Sequence, residues 1–123
     1  MKHLHEKNEQ FTKPDLDILD TFPNPGVKLV ILRQMEFTSV CPLTHQPDYC
    51  TVDVEYEPAN LCVESKSLKL YLASYRQEGA FAETLAVRIC EDLLKVTGAL
   101  TMKVTILANP RGGIAIKAVC ERR

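Results

Sequence analysis

The chain has 123 residues, of which 46% are hydrophobic and 25% charged, and its formal net charge is −1. That is enough sequence for one soluble globular domain and too little for two ordinary ones. The near-zero charge excludes a global field for capturing polyanions, and the longest apolar run, Leu29 to Leu32, is far too short to span a bilayer.

The opening MKHLHEKNEQ is polar and lacks the apolar core of a signal peptide. Residues 1–26 read as an extended N-terminal arm, rich in Asp and Pro and ending in a Pro-Asn-Pro-Gly turn; residues 27–123 read as one domain. From Val27 to Val40, β-branched residues mix with alternating polar ones, as in a long strand. The next segment, YCTVDVEYEP, alternates Thr51, Asp53 and Glu55 with Val52, Val54 and Tyr56, the pattern of a half-buried antiparallel strand that Pro58 ends. The CPLTHQPD segment between them makes the two strands a hairpin-like pair.

The period then changes. Leu68, Leu72 and Tyr75 recur at helical spacing with Tyr71 beside them, and Gly79 supplies a stop. A second helix follows, its stripe formed by Phe81, Leu85, Ile89, Leu93 and Val96 and closed by Gly98. The last segment, TMKVTILANPRGGIAIKAVCERR, offers two alternating strands around an Asn-Pro-Arg-Gly-Gly turn. The order ββααββ predicts an α+β domain with an antiparallel four-stranded sheet and two helices on one face. A sheet with open edges needs partners, so a homo-oligomer with active sites at subunit boundaries is expected.

Five cysteines, at 41, 50, 62, 90 and 120, make an odd count with no regular spacing, which fits a reducing, cytoplasmic compartment. Cys50, Cys62, Cys90 and Cys120 sit in strand-like or helix-like patterns and read as small buried apolar residues. Cys41 differs, because it begins a Pro-containing loop whose far end carries Asp48. A hairpin can bring those two ends together, giving a thiolate nucleophile and a carboxylic acid that protonates the atom made basic by the attack. His45 lies between them, but a loop histidine is more often a surface residue than a base. Lys66 and Lys69, three residues apart, share one helix face near an N-terminus, a place that attracts phosphate, although a solvated charged face is the plainer reading. Arg111 precedes two glycines and reads most simply as a surface arginine in a hairpin turn.

Together, TSVCPLTHQPDY, VESKSLKLYL, FAE and PRGG closely resemble the single-module form of 7-cyano-7-deazaguanine reductase, the NADPH-dependent nitrile reductase family of queuosine biosynthesis. The resemblance runs from about Phe37 to Ile116. It implies the tunnelling fold shared with GTP cyclohydrolase I, assembled into pentameric barrels that stack as a decamer. It also implies that Cys41 adds to the nitrile carbon as a covalent thioimide while Asp48 protonates the nitrogen. Val63, Glu64 and Ser65 match the substrate-binding segment, and Glu83 matches the carboxylate that grips the guanine-like edge. Lys66, Lys69 and Arg111 match positions that serve the phosphates of NADPH; no metal, nucleic acid or membrane is required. One position departs from the family pattern, since Ala82 stands where a histidine usually precedes the gripping glutamate.

Two alternatives share this pattern. An archaeosine-type amidinotransferase uses the same thioimide but typically loses the Glu64 to Lys69 signature, which is whole here. A protein that traps the nitrile without reducing it is conceivable because of Ala82. A zinc-dependent cyclohydrolase is disfavoured, because Cys41 and His45 have no further Cys/His pair to close a metal site.

Overall fold

The computed structural model describes residues 13–123, so the first part of the segment expected to form an N-terminal arm lies outside the described residues. A 3-10 turn at Leu16–Ile18 leads into β1 (Thr21–Pro23). The long hairpin follows as β2 (Val30–Val40) and β3 (Pro47–Glu57), then the short β4 (Leu61–Val63), α1 (Ser65–Ala73) and a 3-10 turn at Ser74–Gln77. The chain ends with α2 (Ala82–Thr97) and the hairpin β5 (Thr101–Arg111) and β6 (Ile114–Arg122). The four long strands form one antiparallel sheet in the order β2-β3-β5-β6. The α+β architecture with a ββααββ order of long elements is therefore observed, with the first strand beginning at Val30 instead of Val27. No described helix is long and apolar enough to cross a membrane.

One face of the sheet carries the core. Val52, Val54 and Tyr56 of β3 and Met102, Val104 and Ile106 of β5 are buried there under Leu85, Ile89 and Leu93 of α2. These are the stripe positions of the helix, and their burial, more than intrinsic propensity, makes the segment helical. Phe81, the first residue of the expected stripe, lies outside the helix as its N-cap and is exposed. At the other end Gly98 adopts φ 62° and its N–H closes on the Leu94 carbonyl, a left-handed cap that a side chain would strain.

Helix α1 begins under an unusual cap. Both carboxylate oxygens of Glu64 accept backbone hydrogen bonds, Oε1 from Ser67 at 2.7 Å and Oε2 from Lys66 at 2.8 Å. The preceding Val63 is buried, and its N–H donates to the Tyr56 hydroxyl. The pairing of β4 with β1, absent from the sequence reading, further fixes this segment.

Two irregularities in the sheet decide which residues face the helices. Between Gln34 and Phe37, β2 advances three residues while β3 advances two, from Val52 to Cys50. That is a β-bulge, and it reverses the alternation of β2. Ile31, Arg33 and Met35 are exposed before it, whereas Phe37 and Ser39 are buried after it. The second bulge lies between Ala108 and Arg111, opposite Ile116 and Ile114 of β6. The turn itself contracts to Gly112 and Gly113, with φ 59° and 83°. Two left-handed residues make a type I′ hairpin, which suits the strand twist and favours glycine. Asn109, Pro110 and Arg111, expected in the turn, instead belong to β5.

Candidate active site

The two bulges bring their consequences together at one end of the sheet. Asp48 has the same parity on β3 as buried Cys50, Val52 and Val54, so its side chain lies on the helix-facing side. Ser39 is its direct partner on β2. Cys41, two residues beyond Ser39, follows the same shifted alternation. Its N–H donates to the Gln46 carbonyl at 2.8 Å, and its carbonyl accepts from His45 N–H at 2.9 Å. These bonds close the loop between the strands, with exposed His45 at φ 59°, a left-handed conformation that histidine adopts more readily than most residues.

A second contact brings α2 to this loop. Val40 pairs as a parallel bridge with Gly79; its N–H donates to Glu78 and its carbonyl accepts from Ala80. Gly79 was read only as a helix stop, but it also passes close to Pro42 and Val40. The α2 N-terminus, with Ala82 and Glu83 in its first turn, therefore begins beside the thiol loop.

The result is a cavity of about 790 Å³ whose walls include Cys41, Asp48, Ala82, Glu83 and Arg111. Five of the ten residues nominated from the sequence therefore share one cavity. Arg111 reaches it from β5: one guanidinium nitrogen contacts Asp48 Oδ1, and the other donates to Gln46 Oε1 at 3.1 Å. In this structure Arg111 thus engages the carboxylate opposite the thiol instead of extending freely from a turn.

The other five nominated residues lie elsewhere on the chain. Val63 is buried at the end of β4, Glu64 caps α1, and Lys66 is exposed on its first turn. Ser65 and Lys69 line a separate small cavity of about 130 Å³ beside Arg33 and Leu68.

The thiols are electrostatically distinct. Hydrogen bonding from the Thr44 hydroxyl, then from the Thr44 and Leu43 backbone, lowers the Cys41 pKa, outweighing desolvation and the Asp48 charge. Burial pushes Cys50, on the same cavity wall, up to about 11. Cys90, enclosed under α2, is pushed up to about 12, mainly by burial. Cys41 is half-buried, whereas the other four cysteines are buried, as their strand-like and helix-like settings suggested. Cys41 is thus the cysteine whose exposure and lowered pKa most favour the thiolate. Among the described residues no group of His, Cys, Asp and Glu could hold a metal ion.

One polar residue escaped the sequence reading. Ser39 is fully buried on the cavity wall, and its Oγ has no hydrogen-bond partner. Its signal was the every-second-residue series Phe37, Ser39, Cys41, which places a hydroxyl at a core position between an aromatic ring and the nucleophile.

The fold and site define an α+β domain of the tunnelling-fold class, with a thiol and a carboxylate converging at one end of its sheet. The sequence profile of QueF-like protein matches residues 47–123. A protein of Alkalilimnicola ehrlichii named NADPH-dependent 7-cyano-7-deazaguanine reductase is 45% identical over 91% of this chain and 88% of its own length. A protein of the same name from Helicobacter pylori is 42% identical over 95% of this chain and 81% of its own. The solved structure of an archaeosine synthase QueF-Like in the apo form superposes with a TM-score of 0.74 at 29% identity, covering 78% of this chain and 94% of the other. The chain belongs to the QueF-like family.

Proposed function

We propose that the protein is an NADPH-dependent nitrile reductase that converts 7-cyano-7-deazaguanine to 7-aminomethyl-7-deazaguanine in queuosine biosynthesis. The observation that carries this reading is the single cavity in which a thiol of lowered pKa, a carboxyl on the neighbouring strand and a second carboxylate at a helix start converge. Its volume lies in the range of ligand sites and exceeds what a bicyclic base alone requires.

The chemistry follows from the residue types. Cys41 Sγ adds to the nitrile carbon; one C–N π bond breaks, and its electron pair moves to nitrogen. Asp48 supplies the proton that nitrogen takes up, and the thiol–carboxyl pair needs only one proton between them to begin. Glu83 accepts hydrogen bonds from the N–H donors on the guanine-like edge, a match for a carboxylate's two oxygens. NADPH would supply one hydride per molecule, so two molecules bound in turn would be needed for the four-electron reduction, with Cys41 regained as the free thiol when its bond to carbon breaks. Lys66 and Lys69 on α1 and Arg111 at the cavity wall are the cations proposed for its phosphates.

Val63, Glu64, Ser65, Lys66 and Lys69 do not line the cavity of their own subunit, so a neighbouring subunit is proposed to complete it. Among the described residues no further strand pairs with the outer edges of β2 and β6, apart from the Val40 bridge to Gly79, and Ile31, Met35, Ile116 and Val119 are exposed. Homo-oligomeric barrels, stacked as a decamer of two pentamers, close both edges. Free thiols throughout fit a reducing cytoplasm.

The experiment is to mix the protein with the cyano base and follow intact mass and NADPH oxidation together. A Cys41-dependent adduct with oxidation supports the reductase. An adduct that survives Cys41→Ala, or no adduct, overturns the thioimide. An adduct without oxidation, discharged by ammonia, supports the second reading, an amidinotransferase, favoured only by the likeness to the archaeosine synthase structure.

A further inference from the structure

Ser39 and Asp48 are directly paired residues on antiparallel strands, which places their Cβ atoms about 4.5–5.5 Å apart on one face. Yet Asp48 turns toward Arg111, while Ser39 Oγ, fully buried, has no partner. A buried hydroxyl without a hydrogen bond is unfavourable, and nearly all such groups in folded proteins find one. The carboxyl opposite is the acceptor the register supplies.

We propose that Ser39 is a positioning residue for Asp48, taking up its carboxyl when Arg111 releases it in the loaded site. This rests on the thioimide reading above. Ser39 Oγ–H donates to the carbonyl oxygen of the Asp48 acid, leaving its O–H aimed at the nitrile nitrogen. As Sγ bonds to carbon, the acid's proton moves to nitrogen and the carboxyl becomes a carboxylate. Ser39 keeps its own proton throughout. Its hydrogen bond strengthens as charge develops on the acceptor, so it favours the transition state over the ground state.

The test is the rate of thioimide formation with 7-cyano-7-deazaguanine in wild type, Ser39→Ala, Ser39→Thr, Asp48→Asn and the Ser39→Ala/Asp48→Asn pair. Ser39→Ala slows adduct formation about 10- to 100-fold, the effect of deleting a hydrogen bond to a charged group. It leaves the melting temperature of the free protein at or above wild type, because the hydroxyl has no partner there. Ser39→Thr retains most of the rate, and Ser39→Ala adds nothing once Asp48→Asn is in place. An unchanged Ser39→Ala rate, a lowered melting temperature, or an undiminished effect in the Asp48→Asn background overturns the proposal. Wild-type protein that forms no adduct overturns the thioimide reading itself, and this inference with it.

Discussion

The lowered pKa of Cys41 is set by a single turn of chain. The Thr44 hydroxyl is the largest contributor to its lowered pKa, ahead of the Thr44 and Leu43 backbone. A lowered thiol pKa means that thiolate, and so adduct formation, is already present below the ordinary range and is lost as pH falls through the lowered value. We predict that Thr44→Val moves the midpoint of the adduct-rate profile upward, slowing the reaction at neutral pH but not at pH 10. A profile that does not move would remove Thr44 from the account. Ala82 makes a second prediction at this scale. It lines the cavity at the start of α2, where an imidazole would point at the site. Ala82→His is expected to raise NADPH oxidation while leaving the adduct mass and its yield unchanged; equal turnover in both proteins would show that no imidazole is needed.

At the scale of elements, the segment proposed to bind substrate is also a helix start. Glu64→Ala removes two hydrogen bonds to backbone N–H groups, so it is expected to destabilise the protein by about 1 kcal/mol, within the range measured for cap removal, besides any effect on activity. Thermal unfolding without substrate checks this, since an unchanged midpoint would mean that water replaces the cap. The long elements were legible in the sequence because burial imposes fixed periods: Leu68, Leu72 and Tyr75 declare one helix, and Val52, Val54 and Tyr56 declare a strand. That Cys41 and Asp48 lie close together was legible because a short hairpin joins them, whereas the chemical roles expected of them came from the family resemblance and not from that spacing. The pairing of β1 with β4 was not, since three-residue strands carry too few alternations to register. Nor was the contact between Arg111 and Asp48, which joins residues 63 apart and depends on a bulge that no single strand reveals.

For the whole molecule, the sheet has two unlike sides. One carries the core and ends in the cavity; the other presents Arg33 paired with Asp53 at 2.7 Å amid exposed Ile31 and Met35. Exposed ion pairs of this kind are screened by water, so this one adds little to the fold of the chain. The side on which a residue falls beyond position 36 depends on how many residues precede it in β2, and not on what they are. Deleting Glu36 alone would only remove the bulge, leaving Phe37 opposite Cys50 and the thiol on the core side, whereas deleting Thr38, beyond the bulge, would send the thiol to the far side of the sheet. We predict that deleting Thr38 abolishes the mass adduct, whereas deleting Glu36 retains it; adduct formation by the chain without Thr38 would show that the strand gives up its bulge to restore the register. Catalytic competence here is thus written partly in spelling length, and a search for tolerated insertions and deletions would find β2 far less forgiving than its exposed, variable-looking surface suggests.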